Sequence, residues 1–290
     1  MKKITEILKQ KEFTFSVELV PPRNGSSPDE IFNQIERLKD DVDFVSVTKG
    51  AGGSLRGGSL PITYFCQEKY NLNTIAHFVC RERTKQEIEN ELMDLYYFKI
   101  KNVLALRGDP PAGTCEEWDG DCKYAYKLVK LIKNLNNGEY FGVGDEKSRE
   151  GFKTDFCILV AGHPEDPIEE EIEHLKIKMQ EGAEVIITQM VFSFDKYKNY
   201  VEALRKAGIK LPVIPGIRPV TSYKQAVSVE KFFNVPVNDE LKNGLKKNGK
   251  DFGLKYFSDM IKELKEYKAP GVHLFILNDT DTGIELIKSV

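Results

Sequence analysis

The stretch "NVLALRGDPP", residues 102–111, decides the fold. Val103, Leu104, Ala105 and Leu106 follow one another without alternation. A strand with one wet face would alternate. An unbroken apolar run is a strand covered on both faces, as in a parallel sheet flanked by helices. The run then meets Arg107, Gly108 and Asp109, and Pro110-Pro111 break the chain at once. A core strand that finishes on a cation and an anion has something to hold at that end. The tripeptide Arg107-Gly108-Asp109 also has an adhesive reading, which needs an exposed extracellular loop.

Seven other segments read as strands: "FTFSVELV" (13–20), "FVSVT" (44–48), "NTIAHFVC" (73–80), "DFCILVAG" (155–162), "EVIITQM" (184–190), "PVIPGI" (212–217) and "GVHLFIL" (271–277). Helical patterns fall between them. Residues 27–41 open with Ser27 as cap and Pro28 in the first turn; Thr84 and Glu87 form a capping box. Ile168, Ile172, Leu175 and Met179 share one face of a segment that ends at Gly182, and a further helix ends at Gly208. More helix is expected at 222–233, 250–267 and 283–290. Eight strands alternating with helices predict a (β/α)8 TIM barrel, a single domain over 1–290, with an extra N-terminal helix and an extra helix before the last strand. The competitor, a doubly wound open sheet, would carry G-x-G-x-x-G after its first strand, and none is there.

Composition narrows the function classes. Of 290 residues 41% are apolar and 30% charged, enough for a substantial core. A net charge of −3 argues against a nucleic-acid-binding surface. No run of about 18 apolar residues predicts a membrane span. The opening "MKKITEILKQKEF" lacks an apolar h-region and reads as a short amphipathic helix, not a signal peptide. The cysteines Cys66, Cys80, Cys115, Cys122 and Cys157 are odd in number with no C-x-x-C pair, as expected of reduced thiols in a cytoplasmic protein. Cys115 and Cys122 share a polar loop, where a disulfide or metal clip is the alternative. A cytoplasmic setting leaves the adhesive tripeptide as a chance match.

In a barrel the C-terminal strand ends face one mouth, where chemistry happens. Glu18, Thr48, His77, Arg107, Asp109, His163, Thr188 and Gln189 all fall there, followed by "PGIRPVT" and Asn278-Asp279. Polar groups in apolar strands cost several kcal/mol, about 2–7, unless partnered. Their recurrence at one end points to a ligand. Each also has a structural reading: Glu18 as the partner of Arg23 or Arg107, His77 as a hydrogen-bonded core histidine. The glycine-rich "GAGGSLRGGS" lacks the GK[ST] of a P-loop and offers backbone N–H groups only. Carboxylates, a histidine, an arginine and amides can bind and protonate, but redox chemistry needs a cofactor.

Seven blocks, "FSVELVPPR", "FVSVTKGAGGS", "AHFVC", "NVLALRGDPP", "GAEVIITQMVFSFDKY", "VIPGIRPVTSYKQ" and "APGVHLFILN", resemble in the same order those of 5,10-methylenetetrahydrofolate reductases, over about residues 12–280. The length is similar to the bacterial form, the catalytic barrel alone. The resemblance implies FAD at the mouth, reduced by NADH or NADPH, and methylenetetrahydrofolate taking the nicotinamide's place to become 5-methyltetrahydrofolate, a step toward methionine biosynthesis. It assigns Glu18 as the acid that protonates folate N10. Asp109 is the carboxylate beside the flavin and the pterin. Gln189 and Gln225 are folate contacts. Thr48, Gly50, Ala51, His77, Arg107, Gly108, Asp109, Tyr124, Ala125, His163, His174 and Lys178 are flavin contacts. A homo-oligomer is the expected assembly.

The pattern departs in places. Lys49 stands where a tyrosine is common, Asp279 where an arginine often contacts folate, and Val229 where some members carry a substrate-stacking phenylalanine. Lys49 suggests a different reductant or a partner subunit. The alternatives are therefore a flavin-binding subunit fed electrons by a partner protein, and a flavin barrel of the proline-dehydrogenase type, which would lack an acid like Glu18.

Overall fold

Along the chain, α1 (Ile4–Gln10) precedes β1 (Thr14–Leu19), α2 (Asp29–Leu38), β2 (Phe44–Val47), α3 (Ser59–Tyr70), β3 (Asn73–Val79), α4 (Lys85–Tyr97), β4 (Asn102–Leu106) and α5 (Ala125–Asn137). A short hairpin, β5 (Glu139–Phe141) and β6 (Ser148–Glu150), leads into β7 (Cys157–Gly162), α6 (Ile168–Glu181), β8 (Val185–Met190), α7 (Phe194–Lys206), β9 (Val213–Ile217), α8 (Tyr223–Phe233), α9 (Asp239–Glu266), β10 (Gly271–Leu274) and α10 (Thr280–Lys288). The computed structural model describes residues 1–50, 56–109, 120–142 and 147–290. Ala51, Pro110, Pro111 and Cys115 lie outside the described residues.

Eight parallel strands close in the order β1-β10-β9-β8-β7-β4-β3-β2. This is the expected (β/α)8 barrel, with α1 before it and α8 and α9 both inserted before β10. The outward faces of the strands pack on the helices: Val17, Leu19, Val45, Val47, Val103 and Ala105 join one large core with Ile35, Leu92 and Leu128. Inside the barrel Phe44, Ile75, Leu104, Leu159, Ile187 and Ile214 form a second core, to which α1 adds Ile4 and Ile7. This two-faced burial is why most of the strands read as apolar runs.

Helix α1 is held by side-chain amides. The Ile4 N–H donates to Asn102 Oδ1 at 2.8 Å, and Asn102 Nδ2 donates to the carbonyls of Lys2 (3.1 Å) and Thr74 (3.0 Å). Lys2 N–H donates to Asn73 Oδ1 at 2.8 Å. Asn73 and Asn102 open β3 and β4, so α1 lies across the floor of the barrel, opposite the mouth.

Three features differ from the sequence reading. Helices α3 and α5 and the hairpin were not predicted. In α3, "SLPITYFCQEKY" places a proline, β-branched and aromatic residues together with no polar stripe; Pro61 is tolerated because it falls in the first turn, where its N–H has no partner to lose. Helix α2 starts at Asp29 with Pro28 as its flanking residue, and the Ser27 hydroxyl accepts from Asp29 N–H at 3.2 Å. Cys122 is buried rather than loop-exposed, and the Cys80 thiol donates to its carbonyl at 3.2 Å. The described cysteines Cys66, Cys80, Cys122 and Cys157 are free thiols. Among the described residues no helix is long and apolar enough to cross a membrane.

Candidate active site at the barrel mouth

One side of the bore is polar. Ser16 and Glu18 from β1, Ser46 from β2, His77 from β3 and His273 from β10 point inward, facing the apolar side made by β4, β7, β8 and β9. His273 is fully enclosed. Its Nδ1 lies 2.8 Å from Ser16 Oγ and its Nε2 3.1 Å from Ser46 Oγ. Ser16 donates its own proton to the Val272 carbonyl at 3.0 Å. Nδ1 must then be the donor to Ser16, and Nε2 accepts from Ser46. Burial, with the neighbouring His77, lowers His273 to about 3, so it stays neutral.

Glu18 sits above this pair with its side chain 15% exposed. Burial raises its carboxyl to about 8, against the opposing pull of the Arg218 guanidinium. At neutral pH it is a protonated acid. His77 Nε2 lies 3.8 Å from Glu18 Oε2, too far for a hydrogen bond, and burial lowers His77 to about 3. The pair is therefore two neutral groups, not an ion pair. The cation facing Glu18 is Arg218, not Arg23 or Arg107. Nor is His77 a satisfied core histidine, because its Nε2 is buried with no partner. Thr48 Oγ1, at the end of the adjacent strand, is orphaned in the same way. Buried groups left unpaired cost about 1–3 kcal/mol each. Two of them side by side fit a planar heterocycle with hydrogen-bonding edges, such as a flavin.

The rest of the rim divides by strand. Arg107 and Asp109 emerge exposed beyond β4, with Gly108 between them at φ +93°. A Cβ on Gly108 would meet Val79 Cγ1 at 2.3 Å, so this glycine is demanded by the chain's own β3. Gly50, φ +63°, follows β2. Lys178 on α6 donates to the Ala161 carbonyl at 3.0 Å, and burial lowers its ammonium below the usual lysine range. The His163 N–H donates to Glu171 at 2.8 Å; burial lowers its ring against the fields of Glu171, Asp166 and Asp109. His174, one turn before Lys178, is exposed. Tyr124 flanks the start of α5 and stacks on Tyr126, with Ala125 the first helical residue.

Gln189 stands on a bulge. Ile187 pairs with Ile214 and Met190 with Gly216, so β8 carries one extra residue there. Its Oε1 accepts from Met190 N–H at 3.0 Å, which leaves the NH2 to donate elsewhere. Gln225 Oε1 accepts from the N–H (2.8 Å) and hydroxyl (3.0 Å) of Thr221, with the same result. Of the departures, Lys49 is matched within the chain by Glu91, which also accepts from Arg83 at 2.8 Å. Asp279 caps α10 and lies in the field of Arg218. Val229 is buried in the core face of α8. The sequence reading passed over Arg218 and His273. The available signal for His273 was its place between Val272 and Leu274, both of which join the outer core.

A family model for methylenetetrahydrofolate reductase matches residues 3–290. Methylenetetrahydrofolate reductase 1 of Schizosaccharomyces pombe is 33% identical over 236 residues, 79% of this chain and 36% of that protein. Methylenetetrahydrofolate reductase (NADH) 1 of Arabidopsis thaliana is 29% identical, with 99% and 50% covered. The chain thus spans half or less of these eukaryotic relatives. The 5,10-methylenetetrahydrofolate reductase of Escherichia coli is 29% identical, with 93% of this chain and 88% of that protein covered. Among solved structures, an uncharacterized protein from Clostridium thermocellum that binds two copies of 5-methyl-5,6,7,8-tetrahydrofolic acid shares the fold, with a TM-score of 0.63 at 15% identity over 98% of this chain and 97% of that one. Since the matched segment takes in every strand of the barrel, this chain belongs to the methylenetetrahydrofolate reductase family.

Proposed function

We propose that this chain reduces 5,10-methylenetetrahydrofolate to 5-methyltetrahydrofolate with NADH or NADPH, by a ping-pong reaction through FAD. The observation that carries this reading is Glu18, a carboxylic acid kept protonated near neutral pH at the floor of the mouth. Opening the five-membered ring of the substrate needs a proton on N10, and an acid with a pKa near the working pH is suited to give it. FAD, when bound, carries a hydride from the nicotinamide to the folate. Thr48 and His77 would meet its ring edge with their orphaned atoms, and the backbone at Gly50, Arg107 and Gly108 would border it. Lys178 and His174 would take its diphosphate, and His163, Tyr124 and Ala125 its remaining length. Asp109 sets a negative charge at the rim, where it favours a cationic folate intermediate. Gln189 and Gln225 present free amide donors to the pterin and its arm.

Lys49 already has an ion-pair partner within the chain, Glu91, and so does not call for one on another subunit. We therefore favour the free enzyme over a flavin subunit fed by another protein. We further propose one catalytic domain over residues 1–290, working in the cytoplasm as a homo-oligomer.

Glu18→Gln tests the role. Stopped-flow traces should show near-normal flavin bleaching by the nicotinamide and a loss of about 10²–10⁴-fold in reoxidation by methylenetetrahydrofolate, the usual yield of a general acid. Equal loss in both half-reactions would refute the assignment.

A further inference from the structure

The bulge that carries Gln189 is held by a side chain the mechanism has not used. The surplus residue of a bulge falls out of the ladder, and its neighbours must find other partners. Here Val191 N–H takes the Gly216 carbonyl at 2.9 Å, and Met190 N–H, one step behind, donates to Gln189 Oε1 at 3.0 Å. The Gln189 carbonyl accepts from the Thr188 hydroxyl at 2.8 Å. The same hydroxyl accepts from the Gly216 N–H at 2.9 Å, so it bridges β8 to β9. Thr188 is 1% exposed, and water does not compete for either bond. The strands are close at this point. A Cβ on Gly216 would lie 2.3 Å from the Thr188 carbonyl oxygen and 2.5 Å from Phe275 Cε2, so only glycine lets β9 approach the bulge this far.

We propose that Thr188 is a positioning residue for folate reduction: its hydroxyl staples the bulge across β8 and β9 and so aims the Gln189 amide into the mouth in one orientation. The proposal rests on the reading above that Gln189 donates to the pterin. Val185 and Ile187 belong to the inner core, and Gln189 follows them at the same parity. Only the oxygen of its amide can accept from Met190 N–H, so the NH2 is turned outward. That bond exists because the bulge sets Met190 one step off the ladder. The hydroxyl of Thr188 ties down the two backbone groups beside it, one on each strand. Without it the Gly216 N–H and the Gln189 carbonyl lose a partner together, and moving the bulge along β8 becomes the repair. A one-residue slip turns side chains to the opposite face. Gln189 would then leave the bore for the helices.

Two variants separate the hydroxyl from the shape. Thr188→Val keeps the branch and loses the hydroxyl; Thr188→Ser does the opposite. On the FAD-loaded enzyme, Thr188→Val should raise KM for methylenetetrahydrofolate about tenfold, equivalent to ~1.4 kcal/mol. Thr188→Ser should stay near the wild-type value, and flavin bleaching by the nicotinamide should be unchanged in both. Gln189→Ala should give a similar rise, to which Thr188→Val adds nothing, because the two residues act as one unit. A KM unmoved in Thr188→Val, losses that add in the double variant, or a loss shared by both half-reactions overturns the proposal. Hydrogen exchange reads the staple with no folate present. The Gly216 and Met190 amides should lose protection in Thr188→Val while Ile186 keeps its own, and protection unchanged at all three also overturns it. Should Thr188→Val not fold, Thr188→Cys, whose thiol is a weak acceptor, is read in its place. A wild type that reduces no folate, with those two amides loosened in the variant, keeps the staple and removes the proposed reaction. Folate reduction that Thr188→Val leaves untouched does the reverse.

Discussion

Burial raises Glu18 from 4.5 to about 8 in the folded protein, and this ties stability to pH with a definite sign. Between those values the folded chain holds a proton that the unfolded chain has released. Stability is therefore full below about 4.5 and falls as pH rises toward 8, by up to about 1.4 kcal/mol per unit. Glu18→Gln mimics the protonated form and removes this slope. Urea midpoints of wild type and variant should part as pH rises, with the variant the more stable near pH 8; curves that stay parallel would contradict the buried acid. His77 and His273 act in the opposite direction, at lower pH, and cancel in the comparison because both proteins keep them. Folate reduction should also decline as pH passes about 8, with no such limb in flavin reduction. The acid was legible as a carboxylate at a strand end. Its pKa was not, because Arg218 and the burying walls come from distant parts of the chain. Gly108 was legible as a special position, but its cause is Val79 on the next strand.

Among the elements, the barrel strands were legible because burial on both faces leaves long apolar runs, interrupted where Ser16, Glu18, Ser46, His77 and His273 face the polar side of the bore. The capping box at Thr84 was legible too, since both its bonds join neighbours in sequence: Glu87 N–H donates to the Thr84 hydroxyl at 3.2 Å and Thr84 N–H to the Glu87 carboxylate at 2.8 Å. Helix α3 was not, because it lacks a polar stripe, and the three-residue strands of the hairpin are too short for a period to show. Helix α1 was foreseen as amphipathic, but not its berth. That depends on Asn102, which looks in sequence like the flank of a strand and in the fold makes three hydrogen bonds under the barrel. Asn102→Ala should cost about 3 kcal/mol through buried backbone groups left unpaired. Hydrogen exchange should show α1 amides losing protection well before those of β3 and β4. Protection that stays uniform would mean α1 is held by Ile4 and Ile7 alone.

At the scale of the whole molecule, the barrel is divided, a polar half of the bore against an apolar half. The ring of strands could be read from the chain. The division could not, because strand order around the barrel puts β10 beside β1 and so joins His273 to Ser16 and Arg218 to Glu18. If the two substrates share one flavin face, initial velocities plotted against each at fixed levels of the other should give parallel lines, and excess of either should inhibit competitively against the other. Intersecting lines would mean that both are held at once. The helix beneath the barrel bears on the same question from another side. Among the described residues the bore is filled by the inner core, with Ile4 and Ile7 of α1 beneath it, so the proposed site at the mouth has no second way in through the barrel. In the proposed reaction a spent molecule would have to back out before its successor goes in. The pace of that reaction would then be set as much by departures as by arrivals.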